Sequence, residues 1–142
     1  MPRNLVAGLA AVLCCAPALA QQATVPPLRL AVELNGAQAS EAGCRITLLA
    51  TNELGAAVEG ATLELALFGP DGGMDRLVSL DLQAMTPGKT KVLQFDLRGS
   101  TCSDVSRVLV NDVTACNGEG LTPALCLGAL QTTSRIDVAF DL

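Results

Sequence analysis

The chain contains no histidine, no tryptophan and no tyrosine, and its only aromatic side chains are Phe68, Phe95 and Phe140. Without histidine there is no Ser-His-Asp or Cys-His arrangement, and the commonest transition-metal ligand is missing. Without tryptophan and tyrosine there is no obvious stacking platform for sugars or bases. Positive charge is also scarce. Lys and Arg number 9 against 14 Asp and Glu, a net charge of −5. Such a surface repels phosphate backbones and anionic headgroups, so neither nucleic acid nor direct membrane binding is expected. Acidity of this size also serves solubility. Beyond the N-terminus, no stretch approaches the roughly 18–20 apolar residues needed to span a bilayer.

What is present begins with Met1-Pro2-Arg3-Asn4, an apolar run from Leu5 to Ala16, and Ala18-Leu19-Ala20 before polar Gln21-Gln22. A basic start, a short apolar segment and a small-x-small site are the pattern of a secretory signal peptide. There is no twin arginine, so it reads as a general secretion signal. Cys14 and Cys15 follow Leu13 and Cys14, whereas a lipidation site wants a small residue there. Residues 1–20 are therefore expected to be removed, leaving a periplasmic or secreted chain with no membrane insertion. Taking 20 from 142 leaves 122 residues, the size of one domain. Residues 21–27, with Pro26-Pro27, read as an extended leader, and residues 28–142 as one β-sandwich domain.

Period-2 alternation runs through that domain. Leu28 to Leu34 forms a first strand ending at Asn35-Gly36, and Cys44 to Ala50 a second. Leu63, Leu65 and Leu67 mark a third, then Gly69-Pro70-Asp71-Gly72-Gly73 turns the chain. Val78 to Leu82, Leu93 to Leu97, Val105 to Val113 and Ile136 to Leu142 complete seven strands. Thr122-Pro123 offers a cap and a first-turn proline for a helix of about two to three turns before the last strand. Seven short strands predict an all-β, two-sheet immunoglobulin-like Greek-key sandwich.

The residues from Ile46 to Leu97 carry Asn52-x-x-Gly55 and Val58, a strand ending Leu67-Phe68, the Gly69–Gly73 turn, Pro87-Gly88 and a Phe-containing strand. This resembles FxLYD-type and related bacterial extracellular sandwich modules. The chain departs from them by Gly69, where those modules have an acidic residue, by its cysteines and by its helix. As a whole it also resembles small secreted α-proteobacterial proteins of unassigned activity. These resemblances imply an extracellular sandwich and transfer no catalytic residue.

Four cysteines lie beyond the signal: Cys44, Cys102, Cys116 and Cys126. Four allow three pairings. If strands alternate in direction, the second and sixth run the same way. Cys44 opens the second and Cys102 precedes the sixth, which places both at one end. Cys116 emerges at the other end, ten residues before Cys126. Cys44–Cys102 and Cys116–Cys126 are therefore favoured as structural disulfides. No C-x-x-C spacing and no histidine support zinc or redox chemistry.

Asp71-Gly72-Gly73-Met74-Asp75 lacks the spacing of a high-affinity calcium loop and suits a tight turn. The remaining carboxylates form no obvious glycosidase pair, and no Gly-x-Ser-x-Gly or Ser-x-x-Lys occurs. The expected function is a non-catalytic module that binds another protein or stabilises an envelope assembly, with another envelope protein as the expected partner and no cofactor. The alternative is a periplasmic carrier of a small ligand or metal ion, using a cleft between sheets or the acidic turn.

Overall fold

Leu30, Val32 and Leu34 are buried, and so are Cys44, Ile46, Leu48 and Ala50, while the residues between them are less so. This period of two lays β1 (Arg29–Ser40) against β2 (Gly43–Glu53) as an antiparallel pair. The same alternation buries Leu63, Leu65 and Leu67 on β3 (Gly60–Phe68), which pairs with β4 (Met74–Asp81) and β6 (Arg107–Asn117). The computed structural model describes residues 23–142. The signal-peptide reading of residues 1–20 lies outside them.

Two four-stranded sheets pack face to face. With β5 at Thr90–Arg98, β7 at Leu130–Ser134 and β8 at Ala139–Asp141, the first has the order β5-β2-β1-β7 and the second β4-β3-β6-β8. Between them lie Leu30, Leu34, Leu48, Leu63, Leu65 and Leu67, each at most 1% exposed. Burying one such side chain contributes about 1.5–3 kcal/mol, so this layer is the main source of stability. The all-β two-sheet architecture is the one the alternation predicted.

The strands differ in detail. The described residues form eight rather than seven. The expected final strand, Ile136 to Leu142, shortens to β8, parallel to β6, and an unexpected strand before it, β7, runs parallel to β1. β7 was hidden because Gln131-Thr132-Thr133-Ser134 has no apolar alternation, which an exposed edge strand does not need. Nor does Asn35-Gly36 end β1. The strand continues to Ser40 through a register shift between Leu34 and Gly36, because β2 is long enough to pair with it throughout. β6 likewise runs past Val113 to Asn117, so Cys116 lies in the strand and not after it. The helix α1 (Pro123–Gly128) is six residues, shorter than expected. Its cap is as read: Thr122 accepts from the Leu125 N–H and Pro123 opens the helix.

The disulfides join Cys44 to Cys102 and Cys116 to Cys126, with Cα–Cα distances of 4.8 and 6.4 Å. The first ties β2 of one sheet to the 3-10 turn Cys102–Asp104 that leads into the other. The second anchors α1 to the end of β6. Two disulfides are the covalent chemistry of an oxidising environment. Gly43, beside Cys44, has φ +142, and a Cβ there would run into the Leu97 carbonyl oxygen. Only glycine lets β2 start this close to the β5 end. Asn52 is fully buried yet satisfied. Its amide donates to the Ala56 and Met85 carbonyls, both at 2.9 Å, and its oxygen accepts from the Leu54 N–H at 3.0 Å.

Candidate functional site: the outer face of the second sheet

The inner residues of β3 fill the core, so its alternate residues, Thr62, Glu64, Ala66 and Phe68, face away from it. Register carries this row across the sheet. Ala66 pairs with Leu77 of β4 on one side and Leu109 of β6 on the other. Phe68 pairs with Met74 and Arg107. Ala66 is 3% exposed although it lies on the outer face, because these larger neighbours cover it. Leu77 and Met74 are 48% and 58% exposed. The result is an outer apolar patch in which Phe68, Met74, Leu77 and Leu109 surround the covered Ala66. Arg107 bounds it, its guanidinium 5.2 Å from the Phe68 ring centroid and 3.1 Å from Asp141. Phe, Met and Arg are the residue types enriched in interface cores.

The other half of this face is acidic. Glu64 of β3 lies directly opposite Asp112 of β6 and opposite Ser79 of β4, with Asp81 one pair further along. Among the described residues none of these three carboxylates has a Lys or Arg partner. Glu64 accepts from the Asn111 amide at 2.6 Å, Asp81 from the Gln83 N–H at 2.7 Å, and Asp112 from the Val113 N–H at 2.8 Å. Two register shifts in the β3–β6 ladder flank Asp112 and leave Asn111 and Thr114 with no directly opposed residue on β3. Bulges of this kind re-aim side chains, and Asn111 and Asp112 are consecutive exposed residues as a consequence.

The site residues singled out in the sequence do not converge here. The four cysteines form two separate staples, with Cys44, Cys116 and Cys126 buried and Cys102 half-buried. In the acidic turn, Asp71 accepts from the Gly73 N–H at 3.0 Å, so its carboxylate closes the turn. Gly69, Asp71, Asp75, Arg76 and Asp104 border an open cleft of about 580 Å³ beside it. Thr101 donates to Asp104 through its hydroxyl and its backbone N–H, which holds that carboxyl below its ordinary value. Arg76 crosses toward the first sheet and donates to the Arg98 carbonyl and the Ser100 hydroxyl. Among the described residues, no group of three His, Cys, Asp or Glu side chains is placed to hold a metal ion.

Sequence reasoning missed the outer patch, although it left a trace. Leu65-Ala66-Leu67-Phe68 breaks the alternation with four apolar residues in a row, and Leu77 sits at a position whose parity points outward. Asn111-Asp112 breaks it in the opposite sense. The chain matches no protein-family model, no curated protein and no solved structure.

Proposed function

We propose that this chain is a non-catalytic, secreted or periplasmic protein-interaction module that docks another envelope protein on the outer face of its second sheet. The observation that carries the reading is the apolar patch of Phe68, Met74, Leu77 and Leu109 around Ala66, bordered by unpaired carboxylates. An apolar centre with a polar rim is how protein interfaces are built. The signal-like N-terminus and the two disulfides support an extracytoplasmic site of action. The two-sheet architecture and turn residues that resemble those of FxLYD-type modules support an immunoglobulin-like assignment.

Site-specific photo-crosslinking in the producing cell tests the reading. A crosslinker at Leu77 is expected to give one discrete adduct with an envelope protein. The same group at Val92, which is 66% exposed on the first sheet, is expected to give none. Equal labelling at both positions, or at neither, counts against the proposal. Intact mass of the secreted chain checks the compartment, and a chain starting at Gln21 is expected.

A further inference from the structure

Among the described residues, β4 ends the second sheet, with β3 on one side and no strand on the other. An open edge presents a row of unpaired backbone N–H and C=O groups to any strand that reaches it. Proteins usually guard such edges with short length, lysine or other charges, inward-pointing charged residues, bulges or proline. The other three edges of this sandwich are guarded. β7 has five residues and β8 three. β5 carries Lys91, whose ammonium folds over its start to the Gln83 side chain and the Ala84 carbonyl. β4 has eight residues and neither lysine nor proline. Its one irregularity is the register shift near Asp75, at one end. Arg76, opposite Leu67 and crossing to the Arg98 carbonyl, guards that end together with the register shift, so the edge left open runs from Leu77 to Asp81, about 17 Å.

Charge indicates what fits there. The strands of the second sheet carry Glu64, Asp75, Asp81, Asp112 and Asp141 against Arg76 and Arg107, and each of those arginines is already in an ion pair. The strands of the first sheet carry four basic residues against three acidic ones. The unguarded edge therefore belongs to the acidic sheet. On its outer face, Leu77 sits beside the apolar patch, and Ser79 and Asp81 lead into the row of Glu64 and Asp112.

Resting on the interaction reading above, we propose that β4 accepts an extended segment of the partner as a fifth strand of the second sheet. That segment places an apolar side chain beside Leu77 and cationic side chains at the next two outward positions, toward Ser79 and Asp81. Backbone pairing supplies affinity and the alternate side chains supply selectivity. A second copy of this chain fits poorly. An antiparallel β4–β4 pair centred on Val78 sets Asp75 against Asp81, and it brings two acidic sheets into one continuous face.

The test is an amide chemical-shift titration of the isotope-labelled chain with short peptides. The probes are Val-Thr-Val-Thr-Lys-Thr-Lys and the same residues in reverse order, which cover parallel and antiparallel addition. Matched peptides with Glu for Lys are the controls. One Lys peptide is expected to shift the amides of Leu77–Asp81, and its Glu counterpart to bind at least tenfold more weakly. Binding should weaken further with salt. Glu64→Gln with Asp112→Asn should weaken the Lys peptide at least threefold. Leu77→Lys, which guards the edge without touching the core, should abolish the shifts. Equal binding of Lys and Glu peptides, shifts centred on β5, or no shifts with either order would each overturn strand addition. If no peptide binds while the Leu77 crosslink persists, strand addition falls and the interaction reading stands. Loss of both sinks both.

Discussion

On the outer face of the first sheet, the cross-strand pairs of β2 and β5 match. Arg45 faces Asp96, Thr47 faces Gln94, Leu49 faces Val92 and Thr51 faces Thr90. The first pair shares hydrogen bonds of 2.9 and 3.0 Å, the second one of 3.2 Å and the last one of 2.8 Å. On the second sheet, Glu64 faces Asp112 and the apolar patch faces water. Matched pairs on a sheet are each worth about 0.2–1 kcal/mol, and like charges directly opposed have the reverse effect. One face is thus arranged for stability, and the other gives some up. Local rules are broken where a surface has a second task, which is why the second sheet is the better candidate for function.

The two sheets share one core and are expected to unfold as one body. The largest expected effect comes from the staple between them. Loops of 58 and 10 residues correspond to about 4 and about 3 kcal/mol in the loop-entropy account. Cys44→Ala with Cys102→Ala should therefore lower the urea midpoint more than Cys116→Ala with Cys126→Ala. Two separate unfolding transitions in the first variant would show that the sheets are independent, and the contrast between their faces would lose its meaning.

Inner and outer positions of adjoining strands give the next contrast. Leu65, fully buried on β3, should cost about 2–5 kcal/mol on truncation to Ala. Leu77→Ala, on the outer face of β4, should cost under about 0.5 kcal/mol. Phe95 falls between. It packs against the core opposite Ile46 but remains partly exposed, so Phe95→Ala should cost about 2 kcal/mol. Far-UV circular dichroism in urea follows all three. A Leu77 variant as damaging as Leu65 would mean the patch is structural and no interface.

The inner faces were legible in the sequence because burial imposes a period of two on Leu30–Leu34, Cys44–Ala50 and Leu63–Leu67. The disulfide pairing was legible because strand parity fixes which ends meet. What escaped was whatever alternation does not govern. β7 is a polar edge strand. The bulges of β6 shift parity in mid-strand, which hid Asn111 and Asp112. The outer patch is assembled from Phe68, Leu77 and Leu109 on three strands, and only register brings them together. Each is an unremarkable leucine or phenylalanine in its own segment.

Relief of the opposed carboxylates is a smaller and more diagnostic effect. Asp112→Asn should raise stability by about 0.2–0.5 kcal/mol while weakening any cationic partner. The gain should shrink in high salt. Because the introduced amide oxygen can still accept from the Val113 N–H, a loss of stability would show that the charge of Asp112 strengthens that bond by more than Glu64 repels it, and the second face would then be no less matched than the first.

The smallest effect separates the faces by pH. Arg45 donates to both oxygens of Asp96, and Ser40 adds a third bond, so that carboxyl titrates below its ordinary value in the folded chain. The hydrogen bonds to Arg45 are the main cause. Because the folded value is the lower one, the unfolded chain takes up the proton first as pH falls. The stabilisation is therefore complete above the ordinary carboxylate range and is lost as pH drops through the lowered folded value. Glu53, paired with Arg29 on the same sheet, behaves alike. Asp96→Asn should flatten the acid limb of a stability–pH curve and leave the neutral limb in place. Leu77→Ala, on the other sheet and without a titrating group, should leave the acid limb as steep as before. If the two variants flatten the acid limb equally, the ion pairs of the first sheet do not set its acid response, and the electrostatic distinction between the two faces disappears.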